Sequence, residues 1–167
     1  VAEYCDWSGI PVRRGSLYDV LDRYYQSAQE AQADVVVRIT ADCPVIDPAL
    51  IDEVVSALLE GEYDFACNRL PPPWRRTYPI GLDAEVCTFA ALERAWKEAK
   101  EPQHREHVMP YFYEGVTLKT ENRTLQTGVS PRGFNIALLH HPTDFGDYRW
   151  TVDTAEDLEF IREVYRR

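Results

Sequence analysis

Residues 34–48, DVVVRITADCPVIDP, constrain this chain more than any other stretch. Val35, Val36 and Val37 are three β-branched residues in succession, which suits a strand buried on both faces, as in a parallel sheet. Arg38 closes the run. Asp42 then falls just past the strand's carboxyl end, the edge at which open α/β sheets bind ligands. Asp47-Pro48 follows as N-cap and first helical residue. Strand, acidic turn and helix in this order leave a carboxylate where it can hold a divalent metal. The plainer reading of Asp42 is a turn residue satisfied by local hydrogen bonds.

The same alternation runs along the chain. Ser16 is expected to cap a helix in which Leu17, Val20, Leu21, Tyr24, Tyr25 and Ala28 recur at helical spacing. Pro11-Val12-Arg13 offers a short strand, while residues 1–10 show no strong period. A helix over about 48–60 ends at Gly61. Strands are expected at 63–68, 82–87, 116–120, 134–139 and 150–153. Helices are expected at about 89–100 and 104–114, the latter broken near Pro110, and after a Thr154 cap. Strands alternating with helices give an α/β class with a mostly parallel sheet flanked by helices. A single domain over 1–167 is expected, with 68–83 (Pro-rich, hence irregular) and 115–133 as substrate-binding or dimerisation elaborations.

Charge and composition exclude several classes. A net charge of −10 argues against nucleic-acid binding, which needs a basic face. It leaves room for a nucleotide, which arginines and Mg²⁺ can hold locally. No apolar run reaches membrane-spanning length and no signal-peptide pattern is present, so a cytoplasmic, non-membrane protein is expected. Cys5, Cys43, Cys67 and Cys87 form no CxxC pair, which speaks against disulfides and a cysteine zinc site. A zinc site from His104, His107, His140 and His141 is disfavoured, because adjacent histidines on a strand point opposite ways.

A second acidic strand end lies in RWTVDTAEDL, residues 149–158. Thr154 with Asp157 three residues on is close to a capping box, and Glu156 suits the helix dipole. Asp153 is not needed for capping. Asp42 and Asp153 could converge on one Mg²⁺, which prefers few carboxylates together with phosphate oxygens. Gly15-Ser16 at a helix start offers free N–H groups to an anion or base edge, or forms an ordinary cap.

Five segments in this order, GSLYDVLDRYY, RITADCP, NRLPP…RTYPIGLDAEV, REHVMPY and RWTVDTAEDLEFI, resemble the sugar cytidylyltransferases. The nearest resemblance is to the spore-coat polysaccharide group, related to the acylneuraminate and 3-deoxy-manno-octulosonate cytidylyltransferases. The resemblance implies a Rossmann-like nucleotide-diphospho-sugar transferase fold. It implies a Mg²⁺-dependent reaction of CTP with a sugar, acidic or otherwise modified, giving a CMP-sugar and pyrophosphate, and a homodimer. It assigns Asp42 and Asp153 to the metal and Arg38 to the support of that site. Gly15, Ser16 and Asp19 fall at the cytidine, and Asn68, Arg76, Tyr78, Gly81, Asp83 and Glu85 at the sugar. Arg105, Glu106 and His107 match a recurring segment without an assigned role; His107 is read as structural in preference to a general base.

One element of the family has no counterpart, the opening strand and its Gly/Arg/Lys loop around the triphosphate. Residues 1–7 hold no glycine and no basic residue. The expectation is therefore an N-terminally truncated form of the fold. Two rivals remain: a Mg²⁺-dependent glycosyltransferase, although its D-x-D motif is missing here, and a non-catalytic nucleotide- or sugar-binding module completed by another chain.

Overall fold

The helix that follows the acidic turn starts as its sequence dictates. Asp47 accepts a hydrogen bond from the Ala49 N–H at 2.9 Å, Pro48 occupies the first turn, and the helix runs Pro48–Glu60. It buries Leu50, Val54 and Leu58 against one face of a six-stranded sheet, in a cluster with Ala66, Ala84, Val86, Ala137 and Leu139.

A computed structural model describes residues 1–167. In chain order the elements are α1 (Ala2–Ser8), α2 (Val20–Glu30), β1 (Val35–Arg38), α3 (Pro48–Glu60), β2 (Phe65–Cys67), β3 (Glu85–Thr88), α4 (Phe89–Glu98), α5 (Pro102–His107), α6 (Pro110–Tyr113), β4 (Lys119–Thr120), β5 (Leu125–Val129), β6 (Asn135–Leu139) and α7 (Ala155–Arg166). Strand residues divide between the two faces with the two-residue period of a pleat. Phe65, Cys67, Cys87, Ile136 and Leu138 join α2, α4 and α6 on the face opposite α3. There Tyr25 stacks on Trp96 with centroids 4.1 Å apart, and the Trp96 indole N–H donates to Asp22 at 2.8 Å.

The strand order is β1-β3-β2-β6-β5-β4. The expectation of a mostly parallel sheet is corrected: β2–β6 is parallel and the other ladders are antiparallel. The crossover through α3 does leave β1 and β2 pointing the same way, since both run antiparallel to β3. They are not neighbours, however. The 68–84 connection contains no helix, so the chain returns directly and β3 inserts between them.

Other expectations shift as well. Among residues 1–167 β1 pairs with β3 alone and Val37 is 37% exposed, so within these residues the valine run is not buried on both faces. Residues 125–129, read as polar loop, form β5; pairing with β6, more than apolar character, makes them a strand. Residues 150–153 are irregular, joined to the 80 region by the bridge Ile80–Arg149. Residues 11–13 are irregular too, and α2 starts at Val20 behind the Asp19 cap, not at Leu17. All four thiols are free. No helix is long and apolar enough to cross a membrane.

Candidate active site

β1 ends at Arg38, and a tight double turn leads on to α3: Cys43 N–H donates to Thr40 O and Ile46 N–H to Cys43 O. Half-buried Asp42 sits in this turn. Its backbone carbonyl accepts the Val152 N–H at 2.9 Å, which ties the acidic turn to the segment carrying Asp153. Asp153 lies just before α7, whose Thr154–Asp157 capping box is present as expected. Both hydrogen bonds to the Asp153 carboxylate fall on Oδ2, from Arg149 and from Thr151 Oγ1 at 2.9 Å. Those two donors hold its carboxyl below the ordinary carboxylate range. Its Oδ1 carries no hydrogen bond.

This donor set fits Mg²⁺. The ion takes one or two carboxylates and completes its shell with substrate phosphates and water, and two anionic carboxylates on adjoining segments meet that need. No group of three or more His, Cys, Asp and Glu side chains gathers anywhere to hold an ion by itself, and the histidines form no zinc set.

Arg38 faces Glu85 across the β1–β3 ladder and forms an ion pair with it. Glu85 is 5% exposed. Burial pushes its carboxyl above the ordinary range in spite of the Arg38 guanidinium beside it, while Glu85 raises Arg38 and keeps it charged.

Several other expected site residues are engaged by the chain itself. Asp19 caps α2 through the Asp22 N–H at 3.0 Å and pairs with Arg105 at 2.6 Å, so it joins α2 to α5. Gly15 and Ser16 lie exposed before that cap, with Ser16 Oγ accepting the Tyr18 N–H. Buried Asn68 donates to Leu82 O at 2.6 Å and accepts from Ala84 N–H at 2.9 Å, clamping the approach to β3. Arg76 holds Asp83 in a two-pronged pair, its second contact 3.1 Å long. His107 is exposed at the end of α5, whereas His104 is buried and bonded to Glu114 at 2.7 Å.

Gly81 has φ +102°, and a Cβ there would stand 2.8 Å from the Trp150 carbonyl carbon. The 78–83 and 148–152 segments thus lie backbone to backbone, held by Ile80 N–H to Tyr148 O (2.8 Å) and Trp150 N–H to Ile80 O (2.7 Å). Gly81→Ala should cost about 1–3 kcal/mol, read as a lowered urea midpoint with unchanged slope.

Beside this junction lies a cavity of about 460 Å³. Tyr78, Phe145, Tyr148 and Trp150 line it together with Asp47 and Glu53 from the start of α3. Buried Tyr78 places its hydroxyl 3.4 Å from Glu53 Oε2, and burial beside that carboxylate pushes the phenol up to about 12. Sequence reasoning reached Tyr78 but missed the other five. The aromatic run Phe145–Trp150 was a usable signal; Glu53, on the solvent side of an amphipathic helix, gave none.

The model of the family described as "Cytidylyltransferase" matches residues 1–166. The chain is 36% identical to an uncharacterized protein of Methanocaldococcus jannaschii, over 99% of this chain and 60% of that one. It is 30% identical to the spore coat polysaccharide biosynthesis protein SpsF of Bacillus subtilis, over 98% and 60%. It is 29% identical to the 3-deoxy-manno-octulosonate cytidylyltransferase of a Methylobacterium species, over 81% and 61%. The chain therefore spans about 60% of the length of these relatives. Its backbone superposes on the structure of a cytidylyltransferase from Leptospira borgpetersenii with a TM-score of 0.78 at 31% identity, covering 96% of this chain and 60% of that one. An α/β sheet with an acidic turn at its edge and a whole-chain match in sequence and fold lead to one conclusion: this chain belongs to the cytidylyltransferase family, a family of nucleotidyltransferases.

Proposed function

We propose that this chain forms part of an enzyme that transfers CMP from CTP to a sugar and depends on Mg²⁺. The observation that supports the reading is the Val152–Asp42 backbone bond, which ties the turn carrying Asp42 to the segment carrying Asp153. In the reaction a sugar hydroxyl oxygen forms a bond to the α-phosphorus, the bond from the α-phosphorus to the bridging oxygen breaks, pyrophosphate leaves, and the hydroxyl proton passes to solvent. Such a step needs positioning and charge neutralisation more than covalent help. Asp42 and Asp153 would hold the Mg²⁺, which when bound neutralises phosphate charge and polarises the α-phosphate. Arg149 fixes the Asp153 carboxylate, and the Arg38–Glu85 pair stiffens the strand that presents Asp42. Exposed Gly15 and Ser16 remain the proposed nucleotide contacts, with the Asp19–Arg105 pair supporting their loop. Tyr78, Gly81 and the Arg76–Asp83 pair flank the sugar. The assembly is proposed to be a cytoplasmic homodimer.

Product analysis tests the reaction class. Incubation of the protein with CTP, Mg²⁺ and a panel of sugars should release pyrophosphate and form a CMP-sugar. Release of CDP in its place would mean transfer of the γ-phosphoryl group to the sugar or to water and would refute the proposal. Glycosyl transfer would instead show as release of a nucleoside diphosphate from a nucleotide-sugar donor.

A further inference from the structure

Gly15 does not have the positive φ that calls for glycine. Its missing side chain serves a neighbour instead. A Cβ there would stand 2.8 Å from Cγ and 3.3 Å from Cδ of Arg23, in the first turn of α2, so the arginine stem lies across the glycine. Arg23 is half-buried, and its guanidinium has no partner in the chain, unlike those of Arg38, Arg76 and Arg105.

The acids that could take this guanidinium are engaged elsewhere. Asp19 stands four residues earlier, the spacing of an ordinary helical ion pair, but it is held by Arg105 at 2.6 Å. Asp22 accepts the Trp96 indole N–H at 2.8 Å, and Glu30 pairs with Arg13. The loop beside Arg23 adds a donor and a ring. Ser16 Oγ accepts the Tyr18 N–H at 3.2 Å and keeps its own hydrogen to donate. The Tyr18 ring is 80% exposed and free to stack. A rigid fork of N–H donors next to an exposed ring suits a flat ligand with two adjacent acceptors. Cytosine presents N3 and O2 in that way. Uracil does not, because its N3 carries a hydrogen and would meet an arginine N–H donor to donor, leaving both without a partner.

We propose that Arg23 is the residue that distinguishes cytosine from uracil, donating one N–H to N3 and another to O2 over the Gly15–Ser16 loop. The proposal rests on the cytidylyltransferase reading, in which the nucleotide meets that loop. The Asp19–Arg105 pair then has a second part, since it keeps the guanidinium of Arg23 free for the base.

Calorimetric titration with CTP and UTP, each with and without Mg²⁺, tests this in the parent, Arg23→Lys and Arg23→Met. The parent should bind CTP about tenfold more tightly than UTP or better, the discrimination of one two-pronged contact. Both variants should bring the ratio to within about threefold of unity. Lysine keeps the charge and loses the fork, so it separates base reading from phosphate holding. The ratio is taken within one protein, so a partial loss of folded material, followed by circular dichroism, leaves it unchanged. Equal binding of CTP and UTP by the parent, or an unchanged preference in Arg23→Lys, would overturn the proposal. So would equal weakening of both nucleotides in Arg23→Met with the preference kept, which would make Arg23 a phosphate contact. Binding of neither nucleotide would overturn it together with the cytidylyltransferase reading. Mg²⁺-dependent CTP binding whose preference survives Arg23→Lys sinks this proposal alone, and a preference lost in Arg23→Lys without any need for Mg²⁺ sinks the metal site alone.

Discussion

Arg38→Met should destabilise the fold by about 3–5 kcal/mol, because it leaves Glu85 buried without its counter-charge. The two residues face each other across β1 and β3, and Glu85 is 5% exposed. The pH dependence of the loss follows from the sign of the shift. Burial raises the Glu85 carboxyl, and removing Arg38 raises it further. A group whose folded value lies above its unfolded one favours the folded state below the unfolded value and loses that contribution as pH rises through the folded one. The deficit of Arg38→Met relative to the parent should therefore be greatest at neutral pH and shrink as the solution is acidified toward the carboxylate range. Arg38→Met/Glu85→Leu should recover most of the stability, since two well-packed apolar groups remove both charges at once. Urea denaturation at several pH values reads all three outcomes. A pH-independent deficit, or no recovery in the double variant, would remove the pair from any part in holding β1.

Asp42→Asn should lower Mg²⁺-dependent turnover by about 10²–10³-fold or more while the protein stays folded. The amide keeps the shape of the turn and its backbone bond to Val152, and removes the charge that Mg²⁺ requires. Asp153→Asn should have a similar effect on turnover. Its stability cost should be small, because the Arg149 pair is exposed to solvent, with side chains 42% and 54% accessible. Circular dichroism establishes the fold of each variant and pyrophosphate release the rate; near-parental turnover in both would end the metal assignment.

Local signals were legible in the sequence wherever chemistry is local. Asp47-Pro48 opens α3, Thr154 and Asp157 close a capping box, and Asp42 lies past the end of β1, all as residue type and spacing require. Neighbour relations were not legible. Three valines specify a strand but say nothing of what lies beside it, so β1 read as buried on both faces, whereas among residues 1–167 it pairs on one side only. The return of β3 between β1 and β2 depends on a proline-rich connection whose path no period encodes. β5 becomes a strand through its partner β6 and not through its own pattern. Within the site, the family resemblance assigned Asn68 and Asp19 to ligands, while no pattern in the sequence foretold their partners in the chain: the first clamps backbone, and the second caps a helix while pairing with Arg105. The acidic aromatic cavity joins Glu53 to Trp150 across nearly a hundred positions, a distance over which single-sequence patterns carry no contact information.

The most direct test of the central claim, a Mg²⁺–cytidine nucleotide site at Asp42 and Asp153, is calorimetric titration with CTP, ATP, GTP and UTP, each with and without Mg²⁺. Saturable binding of CTP that requires Mg²⁺, and that is lost in Asp42→Asn, is the predicted result. Equal binding of all four nucleotides, or CTP binding indifferent to both Mg²⁺ and Asp42→Asn, would contradict it.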